Sequence, residues 1–388
     1  MSMINLTVFK NFVKSNNFGG ILLFLCVILS LIVANSPLSN TLQNILDTTL
    51  GYENESIHLK YSVSLWINDG FMALFFLLVG LEIKREIVEG ELSSPKKALL
   101  PILCAIGGAI VPAIIFLLFN NGTETVSGWA IPMATDIAFA LAVISLLDKR
   151  IPISLKIFLA ALAIVDDLIA ILVIAFFYSS GIQLGYLGYA AVAMLVLIAM
   201  NRFKVKNPYL YLIPGIFIWY FVHHSGIHAT IAGVMVAMTL PTNDTAVESP
   251  LERLEHALIK PVNFFIIPLF AFANTNITWQ SEMVHGLTAP LGLGIFFGLF
   301  FGKPIGILLT SWVCTRLGIA SLPEGSTWMH IIGVGMLAGI GFTMSIFISI
   351  LSFKEPLFVS EAKISVLLTS IIAGTIGYLV LKANSNKK

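Results

Sequence analysis

Charge is what this sequence has least of. Only 11% of its 388 residues are Asp, Glu, Lys or Arg, against 57% hydrophobic, where a soluble domain carries about a quarter charged residues. That excludes an ordinary soluble enzyme. Basic and acidic residues number 22 and 21, so no cationic excess points to nucleic acid as a partner. Cysteine is scarce as well: Cys26, Cys104 and Cys314 all lie inside apolar runs and suggest neither a disulfide framework nor a zinc site. No cofactor is expected.

What the chain has in abundance is long apolar runs. They lie near 18–35, 61–83, 98–119, 129–147, 154–178, 184–200, 208–222, 226–240, 261–275, 288–314, 330–352 and 360–381. A membrane helix takes about 20 residues, so twelve spans leave only short loops and no room for a further soluble domain. Runs this long and continuous fit helices better than barrel strands. The expectation is an all-α integral membrane protein, residues 1–388 forming one polytopic domain in contact with the lipid bilayer. The first run follows Lys10 and Lys14 as a signal peptide would, but it is long and lacks a clear small-residue cleavage pattern, so it is expected to be a retained span.

Lysine and arginine set the orientation. With alternate loops on opposite sides, 18 of the 22 basic residues fall on the side of the N-terminus, in clusters at Lys84, Arg85, Lys96 and Lys97, at Lys149, Arg150 and Lys156, and at Arg202, Lys204 and Lys206. Lys60, Lys354 and Lys363 fall opposite and Lys303 lies within a span. Both termini are therefore expected to be cytoplasmic. The longest external connection, 36–60, carries Ile45, Leu46, Thr48, Thr49 and Leu50, then Gly51, then Ile57, His58 and Leu59. It reads as a short β-hairpin or as a solvated loop.

Four charged residues sit where hydrocarbon should exclude them. Asp166 and Asp167 are at the middle of the run 154–178, Asp136 is near the centre of the fourth run, and Lys303 near the centre of the tenth. Each costs about 2.5–3.5 kcal/mol at mid-bilayer, or about 10–14 kcal/mol together, so they must face one another or water. Three carboxylates against one amine cannot neutralise themselves as a purely structural network. Adjacent carboxylates compete for protons and their oxygens suit hard cations.

Two spans also carry interruptions. Pro132, Thr135 and Asp136 interrupt the fourth, and Gly333, Gly335, Gly339 and Gly341, followed by Thr343 and Ser345, weaken the eleventh. Thr135 with Phe139, and Thr343 with Phe347, share a Thr-x-x-x-Phe spacing. Seven crossings separate the two spans, and an odd offset makes related elements run in opposite directions. Paired interrupted spans of this kind point to an inverted-repeat transporter site. Asp136 could offset the positive half-helix ends there and Lys303 the negative ones.

At these residues the chain resembles the NhaA family of bacterial sodium/proton antiporters. The match rests on Trp66 to Asp69, Phe75 to Glu86, Gly128 to Ala140, Lys156 to Leu168, Ser225 to Thr230, Pro268 to Asn274, Gly302 to Pro304 and Gly339 to Phe347. The resemblance implies inverted repeats in spans 3–5 and 10–12, with broken helices crossing in spans 4 and 11. It implies sodium and proton binding at Asp166 and Asp167, with Asp136, Thr135 and Lys303 in support and Lys303 able to pair with the first aspartate. Thr343 is a further candidate for a cation-binding oxygen. It also makes 36–60 a homodimer contact and assigns a pH-responsive cluster to Glu82, Arg85, Glu86, Glu255 and His256, with His228 also matched. One position departs, since the second histidine of that pattern is Ile259 here.

The function so implied is electrogenic exchange of sodium or lithium for protons, two protons per cation, in the cytoplasmic (inner) membrane. The second proton carrier is either Asp166 or Lys303. A proton-coupled carrier of organic anions would want a cationic site, which the acidic excess over Lys303 opposes. An intramembrane aspartyl protease could pair Asp166 with Asp136 but leaves Asp167 and Lys303 unexplained. A channel can also use broken helices and carboxylates; flux against a gradient distinguishes it.

Overall fold

The computed structural model describes residues 6–55, 58–147, 150–179, 181–242, 248–279 and 282–385. Ile57 and Lys149, singled out above, lie outside the described residues. Helices dominate: α1 (Leu6–Ala34), α2 (Ser39–Asp47), α3 (Val63–Val88), α4 (Pro95–Asn120), α5 (Ile137–Ser145), α6 (Ile153–Phe177), α7 (Leu184–Arg202), α8 (Tyr209–His224), α9 (Ile231–Thr239), α10 (Pro250–Asn274), α11 (Glu282–Thr288), α12 (Pro290–Arg316), α13 (Trp328–Ala338), α14 (Phe342–Ser352) and α15 (Pro356–Ala383).

Among the described residues, seven helices are long and apolar enough to cross a membrane, and ten spans result if each of three bent pairs is one crossing. The difference from twelve lies at 208–222 and 226–240, which form helices of 16 and 9 residues. At about 1.5 Å per residue these reach roughly 24 and 14 Å, short of a hydrocarbon core of about 30 Å. The segment 36–60 also differs. Leu42 and Leu46, one turn apart, bury one face of α2, so Ile45 and Leu46 are helical. The hairpin follows it, pairing β1 (Thr49–Leu50) antiparallel with β2 (Tyr61–Ser62), with a further bridge from Glu53 to His58. Gly51 takes φ 124° at the turn out of β1, a backbone region open to glycine and closed to most side chains.

The chain divides into two compact units. One comprises 21–85 and 175–279. Its core gathers Leu77 and Leu81 of α3, Leu197 of α7, Tyr211 and Ile218 of α8 and Val236 and Ala237 of α9. Here α3 and α9 approach at glycine: a Cβ on Gly233 would lie 2.2 Å from the Ala73 carbonyl oxygen. Small residues at such crossings let membrane helices pack backbone to backbone.

The other unit comprises 1–20, 86–174 and 280–388 and holds all four of the unexpected charges. Its α4 and α12 meet on the same principle, a Cβ on Gly306 falling 2.2 Å from the Gly107 carbonyl oxygen. That contact seats α12 and with it Lys303, just after a π-helical turn at Gly298–Gly302. The stretch Glu124–Met133 is a 3₁₀ helix, an unusually long one. Residues 134–136 are extended before α5 resumes, with a bend of 41°, and α13 and α14 are bent by 45° across Gly339–Gly341.

Candidate functional site

A break in a membrane helix exposes backbone groups that no water can satisfy, so each must find a partner within the protein. In this unit the two breaks supply one another. Of the freed carbonyls, Ile131 accepts from Ser345 Oγ at 2.7 Å, Ala338 from Thr135 Oγ1 at 2.8 Å, and Ile340 from the Asp136 N–H at 2.7 Å. The Met133 carbonyl accepts from Lys303 Nζ. Of the freed N–H groups, Phe139 donates to Asp136 Oδ1 at 2.9 Å, Thr343 to Asp136 Oδ2 at 3.1 Å, and Phe342 to Ser370 Oγ at 3.1 Å. The Thr343 hydroxyl adds 2.6 Å to Asp136 Oδ2.

Asp136 therefore serves two helix starts at once. One oxygen caps α5, and the other takes the N–H of the second residue of α14, whose own N-cap is Gly341 and has no side chain to offer. A helix N-terminus carries roughly half a positive charge, so two of them balance one carboxylate. Asp136→Ala removes three hydrogen bonds to a charged group, each worth about 1.5–3 kcal/mol. It is expected to cost on the order of 4 kcal/mol, read as a fall in thermal stability of the purified protein, and no exchange should survive it.

Lys303, fully buried, donates to both oxygens of Asp166, at 2.7 and 2.6 Å. It also bonds the last carbonyl of the 3₁₀ stretch, where a helix end is negative. Asp166 and Asp167 are each 1% exposed at the middle of α6, and Thr135 lies close to Asp166. The Asp167 charge also reaches Lys303. Asp136, Thr135, Thr343, Asp166, Asp167 and Lys303 thus fall within one unit. Counted as charges, Asp136 is offset by two helix ends and Lys303 by one carboxylate of α6. The aspartate pair brings two carboxylates to this one ammonium, and their oxygens suit a monovalent cation or a proton. Among the described residues no group of three or more His, Cys, Asp or Glu is arranged to hold a metal ion, so these carboxylates are considered for a transported ion.

A family profile described as Na+/H+ antiporter 1 matches residues 10–381. The chain belongs to this family. The Na(+)/H(+) antiporter NhaA 2 of Flavobacterium johnsoniae is 58% identical over 388 residues, covering all of this chain and 95% of the relative. The NhaA antiporter of Flavobacterium psychrophilum is 49% identical over 375 residues, 97% of this chain and 96% of the relative. That of Pelagibacter ubique is 46% identical over 382 residues, 98% of each. Na+/H+ antiporter 1 proteins are transporters and not enzymes, in agreement with the resemblance and at odds with a protease.

The unit of 21–85 and 175–279 holds most of the other residues matched to the NhaA pattern. Arg85 Nε bonds both oxygens of the buried Glu255, at 3.1 and 2.9 Å, and Glu82 is buried on the same helix. His256 does not join them; its Nδ1 meets Glu248 at 2.9 Å on an exposed surface. His228 lies beside Asp69, 4.0 Å from Oδ1, with His223 3.2 Å from Oδ2. Asp69 and Arg85 are sixteen residues apart along one helix, about 24 Å, so His228 and the Arg85–Glu255 pair form separate groups. Glu86 belongs to the unit that holds the buried charges and accepts from the Glu91 N–H at 3.1 Å. Sequence reasoning missed Ser370, the carbonyls of Met133, Ala338 and Ile340, and the Asp69–His223 contact. Met133 and Asp69 left a trace, in the Gly128–Ala140 and Trp66–Asp69 segments.

Proposed function

We propose that the protein is a sodium/proton antiporter of the bacterial cytoplasmic membrane, moving sodium or lithium out in exchange for protons. The observation that carries this reading is the buried Asp166–Asp167 pair, with Lys303 on Asp166, held beside two broken helices in a chain of this family. Cation and proton compete for the pair, and alternating exposure to the two sides makes that competition an exchange. In the conformation described, Lys303 holds Asp166. A cation bound by both carboxylates displaces Lys303, and the one proton that the Asp166–Lys303 pair shares is then the second to leave, whether from Lys303 directly or after transfer to Asp166. Two protons per sodium carry net charge inward, and about 2.3 kcal/mol per 100 mV then drives sodium out.

The finer reading has twelve crossings, inverted repeats in spans 3–5 and 10–12, and both termini in the cytoplasm, for which the placement of the basic residues speaks. The 36–60 hairpin joins two copies in a homodimer. Arg85 and Glu255, with Glu82, Glu86, His256 and His228, adjust activity to pH. The test is a pre-formed proton gradient in everted membrane vesicles. Addition of sodium or lithium should dissipate it, with potassium as the comparison cation. Folded protein that answers none of these cations at any pH would overturn the reading.

A further inference from the structure

We infer that His330 is a positioning residue for the exchange site, holding α13 in place only while its imidazole is neutral; this rests on the antiporter reading above. Helix α13 begins with Thr-Trp-Met-His, and Thr327 and His330 form a reciprocal cap. The Thr327 Oγ1 accepts the His330 N–H at 3.4 Å, and the Thr327 N–H donates to His330 Nδ1 at 3.1 Å. Glutamate or glutamine normally fills that second place. Because Nδ1 accepts from a backbone N–H, the ring proton sits on Nε2, which lies 3.1 Å from the Asn384 carbonyl oxygen at the C-cap of α15. One buried side chain, 2% exposed, thus fastens the start of α13 both to its own cap and to the end of α15.

The far end of the same helix is the site. Eight residues beyond His330, about 12 Å along a rigid helix, the Ala338 carbonyl takes the Thr135 hydroxyl, and Ile340 takes the Asp136 N–H. A shift of α13 along or about its axis moves both acceptors together. Protonation of Nδ1 would turn an acceptor into a donor facing a backbone N–H, and would set a cation at a positive helix end. The neutral ring keeps the cap; the charged ring loses it.

The Thr327 hydroxyl, 3.3 Å from Nδ1, is placed to accept from a protonated ring, but the Thr327 N–H then loses its bond to Nδ1, and no carboxylate offsets the charge. Of the elements packed against α13, α5 carries no charged residue, α12 carries Lys303 and Arg316, and α15 carries Glu361, Lys363 and Lys382. The preceding loop carries Glu324. None of the described carboxylates comes within the 4.0 Å of an ion pair with His330. Lys387 and Lys388 lie outside the described residues.

The test compares His330→Gln and His330→Ala with the wild type in everted vesicles, across the range between about pH 5 and 8 in which histidine changes charge. Glutamine can accept the Thr327 N–H and donate to Asn384 without titrating. His330→Gln should therefore hold its activity to lower pH than the wild type does. His330→Ala should lose the cap at every pH, raising the apparent KM for sodium several-fold, with its pH profile flattened. If both variants only scale the curve and leave the acid limb where it was, His330 is structural and the inference falls. A wild type that shows no cation response is a different failure, that of the antiporter reading itself.

Discussion

Asp167→Asn is expected to abolish cation-driven proton release, by at least about 100-fold, while the protein stays folded. Asparagine matches the shape of the side chain and removes one of the two carboxylate charges of the pair. With Lys303 held on Asp166 at 2.6–2.7 Å, the other carboxylate already has an ammonium on it, and the site loses the oxygens a cation or a proton would take. A change of even one unit of charge in such a buried site is worth several kcal/mol. Asp166→Asn should differ in kind. It too loses exchange, but it leaves the Lys303 ammonium buried without its counter-charge, so thermal stability falls with activity. Sodium flux in proteoliposomes, with melting of the same preparations, separates the two. Equal melting losses in both variants would contradict the assignment of the ion pair to Asp166.

The second large effect is on stability. Lys303→Gln should destabilise the protein by about 3–5 kcal/mol, the usual result of leaving one partner of a buried pair behind. The double variant Asp166→Asn with Lys303→Gln should recover most of that loss, since neither member is then a buried charge. A thermal double-mutant cycle on detergent-purified protein measures the coupling directly. Additive losses would mean that the bonds to Asp166 contribute little and that the Met133 carbonyl is the main anchor of the ammonium.

The sequence made the charges legible because hydrocarbon makes them expensive. Asp136, Asp166, Asp167 and Lys303 stand out against their runs, and Pro132 and the glycines at 339 and 341 mark where helices weaken. Partner choice was not legible. Nothing in the adjacency of Asp166 and Asp167 says which of them meets Lys303, because successive residues point about 100° apart on a helix and the answer depends on how α6 faces α12. Backbone acceptors leave no signature either: Met133, Ala338 and Ile340 contribute carbonyls, which any residue has. The helices at 209–224 and 231–239 came out short because hydropathy registers apolar character and not where a chain bends, as it does at the Ser225–Thr230 segment between them.

The π-helical turn at Gly298–Gly302 has an effect on how its span can be read at all. A π turn places one residue more in a turn than the α helix does, so the parts of 290–316 before and after it are out of frame by about 100°. Without the extra residue Lys303 would stand about 80° around the helix from Ile295; with it the two come within about 20° of one another, and both are fully buried. The extra residue acts as a change of phase, letting an otherwise unremarkable apolar helix deliver an ammonium at one chosen level.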